Sequence, residues 1–177
     1  MSYPNTLIPG GSYYFVAPNN ITVDGVDYPY AILSSGNYWF IGLTKSLYIA
    51  PNIVVTLYFT GSVNLSQSAN RIRISAGSLV KFYMNSASFS VKGFGVENFA
   101  GCGSFHYFGL PINNTVTLDY DGGFNGMIYA PQAKLTIGPG TTGVFDFTGA
   151  SVTKSVRVLR DSRFHFDENL MRIGPAR

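Results

Sequence analysis

Phe59-Thr60-Gly61-Ser62-Val63-Asn64-Leu65-Ser66 is the stretch on which the reading of the fold turns, because two others follow its pattern: Tyr83-Met84-Asn85-Ser86-Ala87-Ser88-Phe89-Ser90 and Tyr129-Ala130-Pro131-Gln132-Ala133-Lys134-Leu135-Thr136. Column by column they give an aromatic, a spacer, a turn former, a polar residue, a small apolar residue, a polar residue and a large apolar one. Shorter copies begin at Phe40, Tyr107 and Phe147, so that successive aromatic anchors lie 18 to 24 residues apart. A unit of short alternating segments separated by turn formers, repeating about every 20 residues, matches one coil of a parallel β-solenoid. Stacking equivalent positions coil on coil predicts that Phe59, Tyr83, Tyr107, Tyr129 and Phe147 stack inside the molecule. Lys81, two positions before Tyr83, is the one charged residue among the flanking apolar positions.

The fold class is therefore all-β, a right-handed parallel β-helix, with an antiparallel β-sandwich as the alternative. Residues 1–36 do not follow the repeat. They hold Pro4, Pro9, Pro18 and Pro29, the Gly10-Gly11 pair and the run Tyr13-Tyr14-Phe15, and are read as an extended capping or subunit-contact segment. Residues 37–177 form the solenoid domain. A short helix over residues 168–173, with Asp167 as its N-cap and Gly174-Pro175 as its stop, is expected to close the last coil with Leu170 and Ile173.

Composition narrows the function. The chain has 177 residues, of which 12% are charged and 46% hydrophobic, with a net charge of +3. These values argue against a disordered tail, a coiled coil or a basic nucleic-acid arm. Few charges suit a stack in which like residues sit on like residues. The single Cys102 makes no internal disulfide and rules out a cysteine-rich zinc cluster; between Gly101 and Gly103 it reads as a small turn or core residue. No transmembrane segment is expected, because no run of 18 apolar residues exists. The start, Met1-Ser2-Tyr3-Pro4-Asn5, lacks the features of a secretory signal, yet the uncharged polar surface suits an exported, assembled protein. A mature fragment with an added Met1 is the expectation.

Three segments, Phe124-Asn125-Gly126-Met127-Ile128-Tyr129-Ala130-Pro131-Gln132-Ala133, Phe147-Thr148-Gly149-Ala150-Ser151-Val152 and Phe164-His165-Phe166-Asp167-Glu168-Asn169-Leu170, together resemble a bacterial domain of unknown function over roughly residues 55–177. That family resembles a C-terminal β-helical module of secreted or cell-surface proteins, often behind a pilin-like N-terminal segment. Its usual ending is similar to Phe-His-Tyr-Asp-Glu-x-Leu, with Phe166 here in place of the Tyr. The resemblance implies a surface location and a structural part, and carries over no catalytic residue.

Candidate chemistry is sparse. His165 with Asp167 and Glu168 is the one His-acid cluster, read as a cap with a satisfied His rather than a base or a metal site. Asp119 and Asp121 could share a face as a carboxylate pair, but the turn Tyr120-Asp121-Gly122-Gly123 accounts for them. No catalytic, metal or cofactor residue is assigned. The expected function is a non-enzymatic structural protein of the cell surface or extracellular matrix, self-assembling into a filament or layer through residues 1–20, with Tyr3, Tyr13, Tyr14 and Phe15 as the self-association residues. Its partner is itself. The alternative is a carbohydrate-binding or adhesive module with glycan partners, using aromatic platforms from Tyr13, Tyr14, Tyr28, Tyr30 or Trp39; a polysaccharide-cleaving β-helix enzyme comes third.

Overall fold

The computed structural model describes residues 3–138 and 143–166. They form a parallel β-solenoid of about six coils, with up to three sheet faces per coil. The first face is built from Tyr14–Phe15, Gly36–Phe40, Val54–Phe59, Leu79–Met84, Phe105–Gly109 and the starts of Gly123–Ile137 and Phe145–Val158, and ends on Ser162–His165. The second carries Val63–Leu65, Ser88–Val91, Thr115–Leu118 and the ends of the same two long strands, which run around the corner and join both faces into one sheet of eleven strands. Tyr30–Ile32, Leu47–Ile49, Arg71–Ile74 and Gly95–Asn98 make the third face, which stops there. Beyond it, residues 119–122 and 159–161 carry the chain directly from the second face to the first.

Alternation within each strand selects what is buried. On the first face, Tyr38, Leu57, Phe82, Tyr107 and Ile128 fall in one inward column, and Phe40, Phe59, Met84 and Gly109 in another. The Phe59 ring stacks 4.4 Å from Phe82 and 4.6 Å from Phe40. The second face contributes Val63, Phe89, Val116 and Leu135 inward, while Asn64, Ser90, Thr117 and Thr136 form an uncharged polar column outward. A repeated charge in this column would lie about 4.8 Å from its like, and the one charged residue to enter it, Arg157 beside Thr136, stands at its end.

The expected aromatic column needs correction. Phe59, Tyr107 and Phe147 are buried, but Tyr83 and Tyr129 face outward and are only partly buried. The true partner of Phe59 is Met84, and that of Tyr107 is Phe82. A register shifted by one residue exchanges the two faces of a strand, and aromatics occur on both faces here, so the eye aligns the wrong ones.

Residues 1–36, read as outside the repeat, supply strands to it. Tyr14–Phe15 adds in parallel to Gly36–Phe40, and Tyr30–Ile32 begins the third face. Between them, Ile21–Val23 and Val26–Tyr28 form an antiparallel hairpin closed by Asp24-Gly25, both at positive φ, as a tight two-residue turn requires. The hairpin lies on the outside of the third face, with Tyr28 buried against Tyr48 and Ala31, and Asp24 2.7 Å from the Arg73 guanidinium. The expected helix over residues 168–173 lies outside the described residues.

Phe82→Ala removes a ring in contact with four others and is expected to cost about 3 to 5 kcal/mol in urea denaturation. Tyr83→Ala, one residue on but facing outward, is expected to cost about 1 kcal/mol. Equal losses would contradict the register.

Candidate functional site

In five consecutive coils the first face repeats a triplet whose middle residue is aromatic: Tyr38-Trp39-Phe40, Leu57-Tyr58-Phe59, Phe82-Tyr83-Met84, Tyr107-Phe108-Gly109 and Ile128-Tyr129-Ala130. The flanking residues point inward, so the middle ones form an outward column, extended by Phe15 against Trp39. Tyr83 stacks on Phe108 at 4.8 Å and 21°, and Phe15 sits 5.0 Å from Trp39. Polar ends of these side chains are tied locally: Trp39 Nε1 donates to Thr60 Oγ1 at 3.2 Å, and Asn85 Nδ2 to the Tyr58 hydroxyl at 2.7 Å.

The N-terminal residues run across this column as a strap. The Tyr129 hydroxyl donates to the Pro4 carbonyl at 2.7 Å, and Gln132 Nε2 donates to Asn5 Oδ1 at 2.9 Å. Further along, the Tyr13 ring lies 5.7 Å from that of Tyr58, and Asn37 Nδ2 donates to the Ser12 carbonyl at 3.4 Å. Burial raises the hydroxyl pKa of Tyr13, Tyr83 and Tyr129 above the ordinary phenol value, with nearby Tyr83 and Tyr58 adding to the effect at Tyr13 and Tyr3 adding at Tyr129. All three are uncharged donors at neutral pH.

Of the proposed contact residues, Tyr13 packs on the column, Tyr14 and Phe15 form the end strand of the long sheet, and Tyr3 lies in the strap beside Tyr129. The column itself is missed by a reading based on inward anchors; the repeated aromatic at the centre of each triplet was the signal for it. Among the suggested platforms, Tyr28 is buried and Tyr30 packs against the core, whereas Tyr14 is exposed and Trp39 is half-buried in the column.

The other candidates separate. Asp119 lies 3.5 Å from Lys92, while Asp121 lies 3.4 Å from Arg160, so the two carboxylates engage different cations. His165 is exposed, 3.5 Å from Asp146; its proposed partners Asp167 and Glu168 lie outside the described residues. Cys102 is buried in a short 3-10 turn over Cys102–Ser104. No group of three metal-ligating side chains occurs among the described residues, and no helix there is long and apolar enough to cross a membrane.

A family model described as a domain of unknown function, DUF7305, matches residues 6–173. The chain belongs to this family. No curated protein and no solved structure matches it. The match begins well before residue 55, and so takes in the end strand and the hairpin as well as the coils, while Pro4 and Asn5 lie ahead of it.

His106, buried under the 101–104 turn, donates from Nε2 to the Gly103 carbonyl at 2.9 Å. Burial lowers its pKa below the ordinary 6.5; the Gly103 carbonyl opposes this, and Lys81 adds to the lowering. The unfolded chain thus takes up the proton at higher pH than the folded one. Stability is expected to be complete above about pH 6.5 and to fall as the pH drops through that value. Thermal melts in acid should show this slope, and His106→Gln should flatten it.

Proposed function

We propose that the chain is a non-enzymatic structural module of the cell surface or extracellular matrix that self-associates into a filament or layer. The observation that carries the reading is the first-coil edge of the long sheet. Tyr14–Phe15 pairs on one side with Tyr38 and Trp39 and is the terminal strand of that sheet; its residues are 73% and 54% exposed, and neither is charged or a proline. Edge strands are ordinarily blunted by Lys, Pro or a covering group.

The neighbouring third face carries such a block. The Asn19 side chain accepts from the Ala31 N–H at 2.8 Å and donates to the Ala31 carbonyl at 2.9 Å, in the position a further strand's peptide group would take. One edge is closed by a side-chain amide, and the adjacent one presents two bare aromatics. Pairing of that edge with the opposite end of a second copy is a heterologous contact, and repetition of such a contact builds a filament. The resemblance and the uncharged polar surface support a location outside the cell.

The carbohydrate-binding reading is less well supported by the aromatic column. Sugars stack on ring faces, and in the column Tyr83 and Phe108 cover one another's faces while the Tyr13 ring packs at Tyr58. The separate engagement of Asp119 and Asp121 likewise favours a structural part over carbohydrate cleavage.

Light scattering and electron microscopy of concentrated protein test the proposal. Wild-type protein is expected to form extended assemblies, and Tyr14→Lys with Phe15→Glu to remain a folded monomer. A wild-type protein that stays monomeric at high concentration, without fibres or layers, contradicts it.

A further inference from the structure

The strap is held unevenly along its length. Its root is fixed: the Val16 N–H donates to the Trp39 carbonyl at 3.0 Å, Tyr14 and Phe15 are in the ladder, and Tyr13 packs on Tyr58. Before the root come Gly10 and Gly11. A Cβ at Gly10 would meet nothing within 4 Å, and Gly11, beside the Asn37 side chain, has φ of +109°, so Gly10 brings the room and Gly11 the backbone freedom of a hinge. The arm beyond, residues 3–9, is tied to the column by the bonds of Pro4 and Asn5, both exposed to water, and at its base by the Tyr13 hydroxyl, which donates to the Pro9 carbonyl at 3.3 Å. Its two large aliphatic side chains, Leu7 and Ile8, remain 82% and 62% exposed.

The arm also has slack. From the strand of Tyr14 to that of Tyr129 is five ladder steps, about 24 Å. The ten residues from Pro4 to Tyr14 can span about 33 Å when extended.

We infer that residues 3–9 exchange between copies in the assembly, each arm lying on the aromatic column of a neighbouring copy. The Pro4 carbonyl accepts from the neighbouring copy's Tyr129 hydroxyl, and Leu7 and Ile8 become buried between the two chains. The inference rests on the self-association reading above. In dilute solution the chain's own column is favoured, because a short tether presents it at millimolar effective concentration. Within an assembly the neighbour's column stands at a comparable local concentration, and burial of the two exposed aliphatic residues favours exchange.

The test uses Asn5→Cys with Gln132→Cys, placed on the hydrogen-bonded pair, with buried Cys102 unchanged. Assembled under reducing conditions and then treated with oxidised glutathione, the variant is expected to give covalent dimers and higher species on a non-reducing denaturing gel. Oxidised while dilute, it is expected to close within one chain and to assemble about tenfold less or worse until reductant is added. A second readout needs no substitution. Light and heavy isotope-labelled wild-type chains are mixed equally, assembled and photo-oxidised; about half of the coupled Tyr3–Tyr129 peptides should be light–heavy hybrids if exchange is complete. Fibres that yield only monomer-sized species and no hybrids overturn the exchange and leave self-association standing. Wild-type protein that never assembles overturns both.

Discussion

In-register parallel pairing between successive coils is the constraint on which the other features depend. Once Val54–Phe59 pairs with Leu79–Met84, and that strand with Phe105–Gly109, every side chain stands about 4.8 Å from its equivalent in the next coil. Aromatic and aliphatic residues tolerate such neighbours and gain from them, and neutral polar residues tolerate them. Repeated charges do not. The stack thus sorts the sequence into columns: Phe40–Phe59–Met84 inside, Trp39–Tyr58–Tyr83 outside, and Asn64–Ser90–Thr117 on the second face. On the third face the charges that enter the ladder meet the opposite sign: Arg73 stands beside Glu97 in register, and Arg71 lies 3.4 Å from the Glu97 carboxylate.

The class of fold was legible in the sequence because the turn formers between strands keep a nearly constant spacing, and a coil cannot close without them. The inward column was harder to place. Tyr83 and Met84 are adjacent and both suit a strand, and an aromatic is the more conspicuous anchor; yet Met84 is the residue that meets Phe59. Gly109 occupies the same column with no side chain at all, since a Cβ there would run into Asn113 and Ala130. That compensation between coils leaves no trace in a residue-by-residue alignment. Asn19 was equally hidden, because its amide acts on Ala31, a residue in a different segment. The two-residue strand Tyr14–Phe15 is too short to show a period, and its pairing is visible only once the first coil is in place.

The candidate site is a product of the same ladder. An outward aromatic in five consecutive coils gives a hydrophobic rail on the first face, and the chain lays its own N-terminal residues over it. Where Tyr83 stacks on Phe108 the rings present their edges to solvent, a surface better suited to covering by a polypeptide than to stacking by a sugar. The two ends of the first-coil layer differ in kind: Asn19 occupies the third-face edge with an amide, while Tyr14 and Phe15 leave the first-face edge uncharged and accessible. Both features bear on how one copy of the chain would meet another.

The register of the first face is the central claim, and nuclear Overhauser contacts between aromatic rings in solution test it most directly. That register requires contacts of Phe59 with Phe40 and Phe82, and of Tyr83 with Phe108, on opposite sides of the same sheet. Contacts joining Phe59 to the ring of Tyr83, with Phe82 turned to solvent, would contradict it and with it the division into inner and outer columns.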